Sequence, residues 1–190
     1  MATKQIFYTR QGDDGMTAIY GQKERIPKYH LRPEAYGTID EAQAVLGVLR
    51  AGNCQDRVKE LLIRIERDLY LMMGQLAVAD HIKLPARPVD ENDVNWLETV
   101  TQELGEVTGS FTDFVLPGDT LSGAQAHLAR TVIRRAERKV ARLHHQGDLN
   151  NIVILKYLNR LSSLLFVIAL YEDFHGGVLS PTYAKTVNNE

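Results

Sequence analysis

The chain has 190 residues, 44% of them hydrophobic and 24% charged, with a formal net charge of -2. That length and balance suit one soluble domain with a sizeable core, and the slight acidity argues against a general nucleic-acid binder, which is basic overall. Cys54 is the only cysteine, so no intramolecular disulfide forms and a reducing, cytoplasmic setting is expected. The first residues lack a signal-peptide core, and no unbroken run of about 18 apolar residues occurs, so no membrane contact is expected.

The opening stretch QIFYTRQGDDGMTAIYGQKERIPK holds three glycines and a proline between short apolar pieces, and reads as loop with one short extended element. Gly12 and Gly15 let backbone amides converge on an anion, with hydroxyls from Thr9 and Thr17 and charge from Arg10 and Lys28. The GxxxxGK[ST] spacing of a Walker A loop is absent, and a plain turn is the competing reading, since a Gly-Asp-Asp-Gly run commonly forms one. RPEAYGTIDEAQAVLGVLRAG follows as a first helix that stops near Gly52, although Gly37 and Gly47 each cost about 1 kcal/mol relative to alanine. In QDRVKELLIRIERDLYLMMGQLAVA, Val58, Leu61, Leu62, Ile65, Leu69, Met72 and Leu76 recur at helical spacing. They predict a second helix of about 24 residues, spanning about 36 Å.

A third helix starts at Asp90, a capping residue followed by acids that suit the helix dipole. Pro117 and Gly118 break the pattern before a fourth helix over about residues 121–145; Asp119 is a candidate cap for it. The fifth spans about residues 150–174, with Ile152, Leu155, Leu158, Leu161, Leu165 and Ile168 on its inner face. Glu172 and His175 share the Glu-x-x-His spacing of di-iron bundles, but no second such motif exists, so a helix-end histidine is expected. His144 and His145 suit a helix C-terminus, and Trp96 reads as a packing residue. The tail GGVLSPTYAKTVNNE is expected to be mobile unless a ligand or subunit orders it. The expectation is a single all-α domain over residues 1–190: an N-terminal loop (1–30), a five-helix bundle (31–175) and the tail (176–190).

The fourth helix, with ARTVIRRAERKVARLH inside it, carries Arg130, Arg134, Arg135, Arg138 and Arg142. At 100° per residue, Arg130, Arg134 and Arg138 form one stripe beside His127 and Glu137, with Arg135 and Arg142 on a flank. Leu128, Val132, Ala136 and Val140 are predicted to face the core. A solvated face is the plain alternative. Yet like charges at i,i+4 destabilise a helix by a few tenths of a kcal/mol per pair. Guanidinium forks match phosphate oxygens, so a polyphosphate would relieve the repulsion.

In order and spacing, these pieces resemble the PduO-type ATP:cob(I)alamin adenosyltransferases. The family's Thr-Arg-x-Gly-Asp-x-Gly-x-Thr loop is matched by residues 9–17, and its Glu-Ala-Tyr-Gly-Thr-x-Asp-Glu segment by residues 34–41. The Phe-x-Leu-Pro-Gly turn falls at 114–118, Ala-Arg-Thr-x-x-Arg-Arg-Ala-Glu-Arg at 129–138 and Tyr-Leu-Asn-Arg-Leu-Ser at 157–162. This chain departs at Asp119, where a second glycine is usual, at Ser163 for aspartate, at Gln43 for asparagine and at Leu170 for arginine.

The resemblance implies a homotrimer of five-helix bundles with active sites between subunits. It implies transfer of the 5′-deoxyadenosyl group of ATP to the Co(I) centre of cobalamin, with Mg²⁺ present and triphosphate released. By position, Thr9, Arg10, Gln11, Gly12, Thr17, Ala18, Lys28, Arg134, Arg135, Glu137, Arg138 and Asn159 would contact ATP. Arg134 and Glu137 also belong to the implied catalytic set, together with an Asp40–Arg130 pair that organises the site. Phe114 would lie against the lower face of the corrin. A corrinoid reductase and an adenosylcobalamin-dependent enzyme are the implied protein partners. Two other readings stay open: a noncatalytic nucleotide or cobalamin sensor on the same bundle, and an RNA-binding helical protein, which the net charge disfavours.

Overall fold

Four of the five helices begin where a side chain or ring takes up a free amide. In the computed structural model, which describes residues 7–79, 81–83, 86–109 and 113–185, five helices follow a short hairpin. The helices are α1 (Leu31–Ala51), α2 (Asp56–Leu76), α3 (Glu91–Thr108), α4 (Leu121–His145) and α5 (Val153–His175). His30 caps α1, its ring accepting from the Arg32 amide at 3.3 Å. Asp90 and Asp93 form a reciprocal capping box at α3. Thr120, not Asp119, caps α4: its Oγ1 accepts from the Gly123 amide at 2.9 Å. Asn151 Oδ1 takes the Val153 amide at 3.1 Å, so α5 starts later than the apolar pattern suggested.

The N-terminal segment holds two extended elements, not one. Strand β1 (Met16–Ala18) pairs antiparallel with β2 (Arg25–Pro27), placing Thr17 opposite Ile26. Beyond β1, Ile19 is buried and Tyr20 exchanges backbone hydrogen bonds with Ala77 and Ala79 at 3.0 and 2.8 Å. Those bonds draw residues 77–79 out of helical conformation, which is why α2 has 21 residues and not the expected 24 or so.

Neighbours run α2–α1–α4–α5–α3 across the bundle. Side chains close it from α2 onto α3 and α5: Tyr157 donates to Asp68 at 2.9 Å, and Arg64 reaches Asp93 at 3.6 Å while stacking 3.8 Å over Trp96. All seven apolar positions predicted for α2 are buried. On α4 the buried face is Ala126, Ala129, Val132, Ile133, Ala136, Val140 and Leu143, and Leu128 is 55% exposed, contrary to the sequence expectation. Likewise Ile152 is exposed and Leu155 half-buried, because the inner face of α5 starts at Ile154. By length and apolar composition α5 could cross a membrane, but here it is the central core helix.

Gly123 is set by packing: a Cβ there would lie 2.1 Å from Asp173 Oδ1, which accepts the Thr120 hydroxyl at 2.6 Å. Gly123→Ala must therefore displace the buried Asp173 carboxylate from the Thr120 hydroxyl or push α4 away from the end of α5. We expect a loss of about 1–3 kcal/mol, read as a lower urea midpoint at unchanged slope.

Candidate functional site

The arginine face of α4 is only partly neutralised by its own chain. Glu41 of α1 pairs with Arg135, and Glu34 with Lys139. Arg134 and Arg138 are exposed and have no ion-pair partner among the described residues. Glu137 Oε1 accepts from Asn159 Nδ2 at 2.8 Å, so packing of α4 on α5 brings these two predicted residues together. Arg130 is half-buried, and its Nε is buried with no hydrogen-bond partner. Burial and the neighbouring Arg134 both push its guanidinium pKa down. No hydrogen bond or ion pair within this chain joins Arg130 to Asp40, which stands exposed on α1.

One turn before Arg130, His127 is 3% exposed and both ring nitrogens lack partners. It meets Phe166 edge-on at 5.8 Å, and burial followed by Arg130 pushes its pKa down. Sequence periodicity set His127 beside the arginine stripe; its burial follows from the α5 packing, which periodicity does not reveal.

The loop is built around its own charges. Arg25 donates to both oxygens of Asp14 at 2.8 Å and to the Met16 carbonyl at 2.9 Å. That guanidinium, then the Met16 amide, holds the Asp14 carboxyl below its ordinary value. Lys28 Nζ donates to the Gly12 carbonyl at 2.7 Å, and the Gln11 amide approaches Thr9 Oγ1 at 3.4 Å. Arg10 adopts φ 60°, a left-handed conformation costly for a residue with a Cβ. Thr9, Arg10, Gln11 and Ala18 are exposed, and Thr17 on β1 is half-buried. Among the described residues no hydrogen bond or ion pair links 7–28 to α4. The loop and the arginine face are thus not bonded to each other within one chain.

Phe114 stands 82% exposed just before the start of α4. Arg130 is ten residues beyond Thr120, about 15 Å along α4, so Phe114 precedes the helix whose later turns carry the cationic face. Contrary to the mobile tail expected, residues 182–184 dock beside Phe114: the Leu116 amide donates to the Thr182 carbonyl at 2.8 Å and the Ala184 amide to the Phe114 carbonyl at 2.7 Å. Residues 186–190 of the tail, and Ser110, Phe111 and Thr112 of the break before α4, lie outside the described residues. Glu172 is occupied by the Gln55 amide at 2.9 Å, and His175 Nδ1 lies 2.8 Å from the Tyr171 carbonyl.

The described residues thus form a five-helix bundle with exposed, unpaired guanidinium groups on α4 and a glycine loop that makes no bond to them. The sequence profile described as cobalamin adenosyltransferase matches residues 7–172. The corrinoid adenosyltransferase of Citrobacter freundii is 36% identical over 168 residues, covering 87% of this chain and 94% of that protein. The PduO protein of Salmonella typhimurium is 32% identical over 87% of this chain, which spans 49% of that longer relative. Among solved structures, a variant PduO-type ATP:corrinoid adenosyltransferase from Lactobacillus reuteri, complexed with cobalamin and ATP, aligns with a TM-score of 0.86 at 29% identity. That alignment covers 94% of this chain and 99% of the other. The chain belongs to the cobalamin adenosyltransferase family.

Proposed function

We propose that the protein transfers the 5′-deoxyadenosyl group of ATP to the cobalt of cob(I)alamin. The observation that carries the chemistry is the unpaired Arg134/Arg138 face, a cationic surface whose internal repulsion a triphosphate would relieve. The Co(I) electron pair attacks C5′ of the ribose. A cobalt–carbon bond forms, the C5′–O bond breaks, and its electron pair leaves on triphosphate; cobalt ends formally as Co(III). Co(I) is itself a strong nucleophile, so no general base is needed.

The protein supplies alignment and charge stabilisation. Thr9, Arg10, Gln11, Gly12, Thr17, Ala18 and Lys28 hold the nucleotide from the loop. Arg134, Arg135 and Arg138 meet the phosphates, and the Glu137–Asn159 pair sets the depth of the nucleotide on α4 and α5. Mg²⁺ arrives with ATP as part of the substrate, since such an ion keeps several waters and binds largely through phosphates. In this reading the loop of one subunit meets the arginine face of the next in a homotrimer, where Asp40 pairs with Arg130. The lack of a bond between the loop and the arginine face within one chain, among the described residues, and the orphaned Arg130 Nε support that arrangement. The setting is cytoplasmic, with a corrinoid reductase upstream and an adenosylcobalamin-dependent enzyme downstream.

Purified protein with MgATP and chemically reduced cob(I)alamin is expected to yield light-sensitive adenosylcobalamin and triphosphate, followed by absorbance. ATP binding without formation of the cobalt–carbon bond would instead identify a sensor. Phe114 is assigned to the lower corrin face, where an apolar ring displaces the axial base and favours reduction. Phe114→Ala is therefore expected to lower turnover of cob(II)alamin plus reductant by about tenfold (about 1.4 kcal/mol) more than turnover of supplied cob(I)alamin. Equal losses with both substrates would remove Phe114 from the reduction step.

A further inference from the structure

Asp119, which follows Gly118 in the turn before α4, has a specific structural task. Its Oδ2 accepts the Thr182 amide at 2.8 Å and its Oδ1 accepts the Thr182 hydroxyl at 2.6 Å. The two residues are 63 positions apart. Once Thr182 is fixed, the tail lies antiparallel to the turn, with Val115 opposite Tyr183. The flanking backbone bonds, Leu116 amide to Thr182 carbonyl and Ala184 amide to Phe114 carbonyl, follow from that register. Farther along the tail, Lys185 meets Asp113 at 3.3 Å, closing the bridge from the other side of Phe114.

The turn is thereby held at both ends. Thr120, the next residue, caps α4 and donates its hydroxyl to Asp173 near the end of α5. Between these anchors Phe114 has its carbonyl bound by the tail and its amide by Asp113 Oδ1 at 2.7 Å. Its ring meets solvent and little else. With no packing to hold the ring, its backbone alone fixes the point and direction from which the side chain projects. Gly118, at φ 128°, would otherwise leave the turn free to swing.

We propose that Asp119 is a positioning residue for Phe114: by latching Thr182 it clamps the C-terminal strand to the turn and fixes how the ring meets the corrin. The proposal rests on the adenosyltransferase reading above. A carboxylate serves here because it accepts two hydrogen bonds at once, and charge-assisted bonds are roughly twice as strong as neutral ones.

The test uses the full chain with Asp119→Ala, Asp119→Asn and Thr182→Val. Losing the latch is expected to speed amide exchange at Leu116 and Ala184 about tenfold, the value of one such hydrogen bond at a partly exposed site. It is also expected to raise the KM for corrinoid, leave the KM for ATP unchanged, and lower the cob(II)-to-cob(I) turnover ratio several-fold. Asp119→Asn, which keeps one acceptor oxygen, is expected to fall between wild type and Asp119→Ala. In protein loaded with ATP and cob(II)alamin, the electron paramagnetic resonance spectrum of Asp119→Ala is expected to retain more of the axial-nitrogen splitting of base-on corrinoid.

A merely structural role would lower the melting temperature without moving that ratio or spectrum. In a Phe114→Ala background, Asp119→Ala is expected to have no further effect on the ratio. Unchanged amide exchange would show that no latch holds the tail. Faster exchange with an unaltered ratio and spectrum would show that the latch does not act through Phe114. Either result overturns the proposal while wild type still makes adenosylcobalamin; absence of that product in wild type would instead overturn the parent reading.

Discussion

Arg134→Ala is expected to cut kcat for adenosyl transfer by about 100- to 1,000-fold, roughly 2.7–4 kcal/mol of transition-state stabilisation. Charge accumulates on the departing triphosphate as the C5′–O bond breaks, so a guanidinium there is worth more in the transition state than in the bound substrate. Arg134 is the choice because it is exposed and unpaired, leaving its whole donor fork for phosphate. Arg135 already serves Glu41, and the Nε of Arg130 is buried. Lysine supplies a point charge without the fork, so Arg134→Lys is expected to fall between wild type and alanine. Stability separates chemistry from folding. Removing a charge flanked at i±4 by Arg130 and Arg138 relieves a few tenths of a kcal/mol per pair, so the melting temperature is expected to hold or rise slightly. Near-wild-type kcat in Arg134→Ala would strip the α4 face of its catalytic role.

The helices were legible because their stop and start signals are local. Pro117 and Gly118 before α4 and the two histidines at 144 and 145 bracket it, Asp90 opens α3, and Gly52 closes α1, although the cap of α4 is Thr120 and not the Asp119 expected. What the sequence concealed is non-local. Leu128 appeared inward because one apolar row was extrapolated along α4, yet the buried face is centred on Ala129, Ile133 and Ala136, where α1 and α5 both press. The end of α2 depends on Tyr20, and the docking of the tail depends on Asp119 meeting Thr182. Neither pairing leaves a periodic trace. The site shows the same division. Its arginines and glycines stood out by residue type and spacing, whereas the burial of His127 emerged only from three-dimensional packing.

Asp93→Ala is expected to cost about 3 kcal/mol, the lower end for breaking a buried ion pair, and to lower the melting temperature by about 6–12 °C in a domain of this size. Asp93 is 2% exposed, accepts from Arg87 at 2.6 and 2.8 Å, and takes the Asp90 amide at 3.1 Å as half of the α3 capping box. The lower end applies because the Arg87 side chain is 53% exposed and rehydrates once its partner is gone.

Burial pushes the Asp93 carboxyl up, but the Arg87 hydrogen bond and the Asp90 amide hold it below 3.8. The stabilisation from its ionisation is therefore complete above 3.8 and fades as pH falls through the depressed folded value. The urea-midpoint gap between wild type and Asp93→Ala is expected to narrow in that acid range. Asp68 has the opposite sign. Burial raises its carboxyl above 3.8 despite the Tyr157 hydroxyl, so its contribution is fullest below 3.8 and is lost as pH rises through the folded value. Asp68→Asn keeps an oxygen for Tyr157 and removes a charge that burial disfavours, so its cost at pH 7 is expected to stay within about 1 kcal/mol. Equal losses for Asp68→Asn and Asp93→Ala at neutral pH would contradict this division: Asp93 would not be the favourable ion pair, nor Asp68 the carboxyl that the fold holds at a cost.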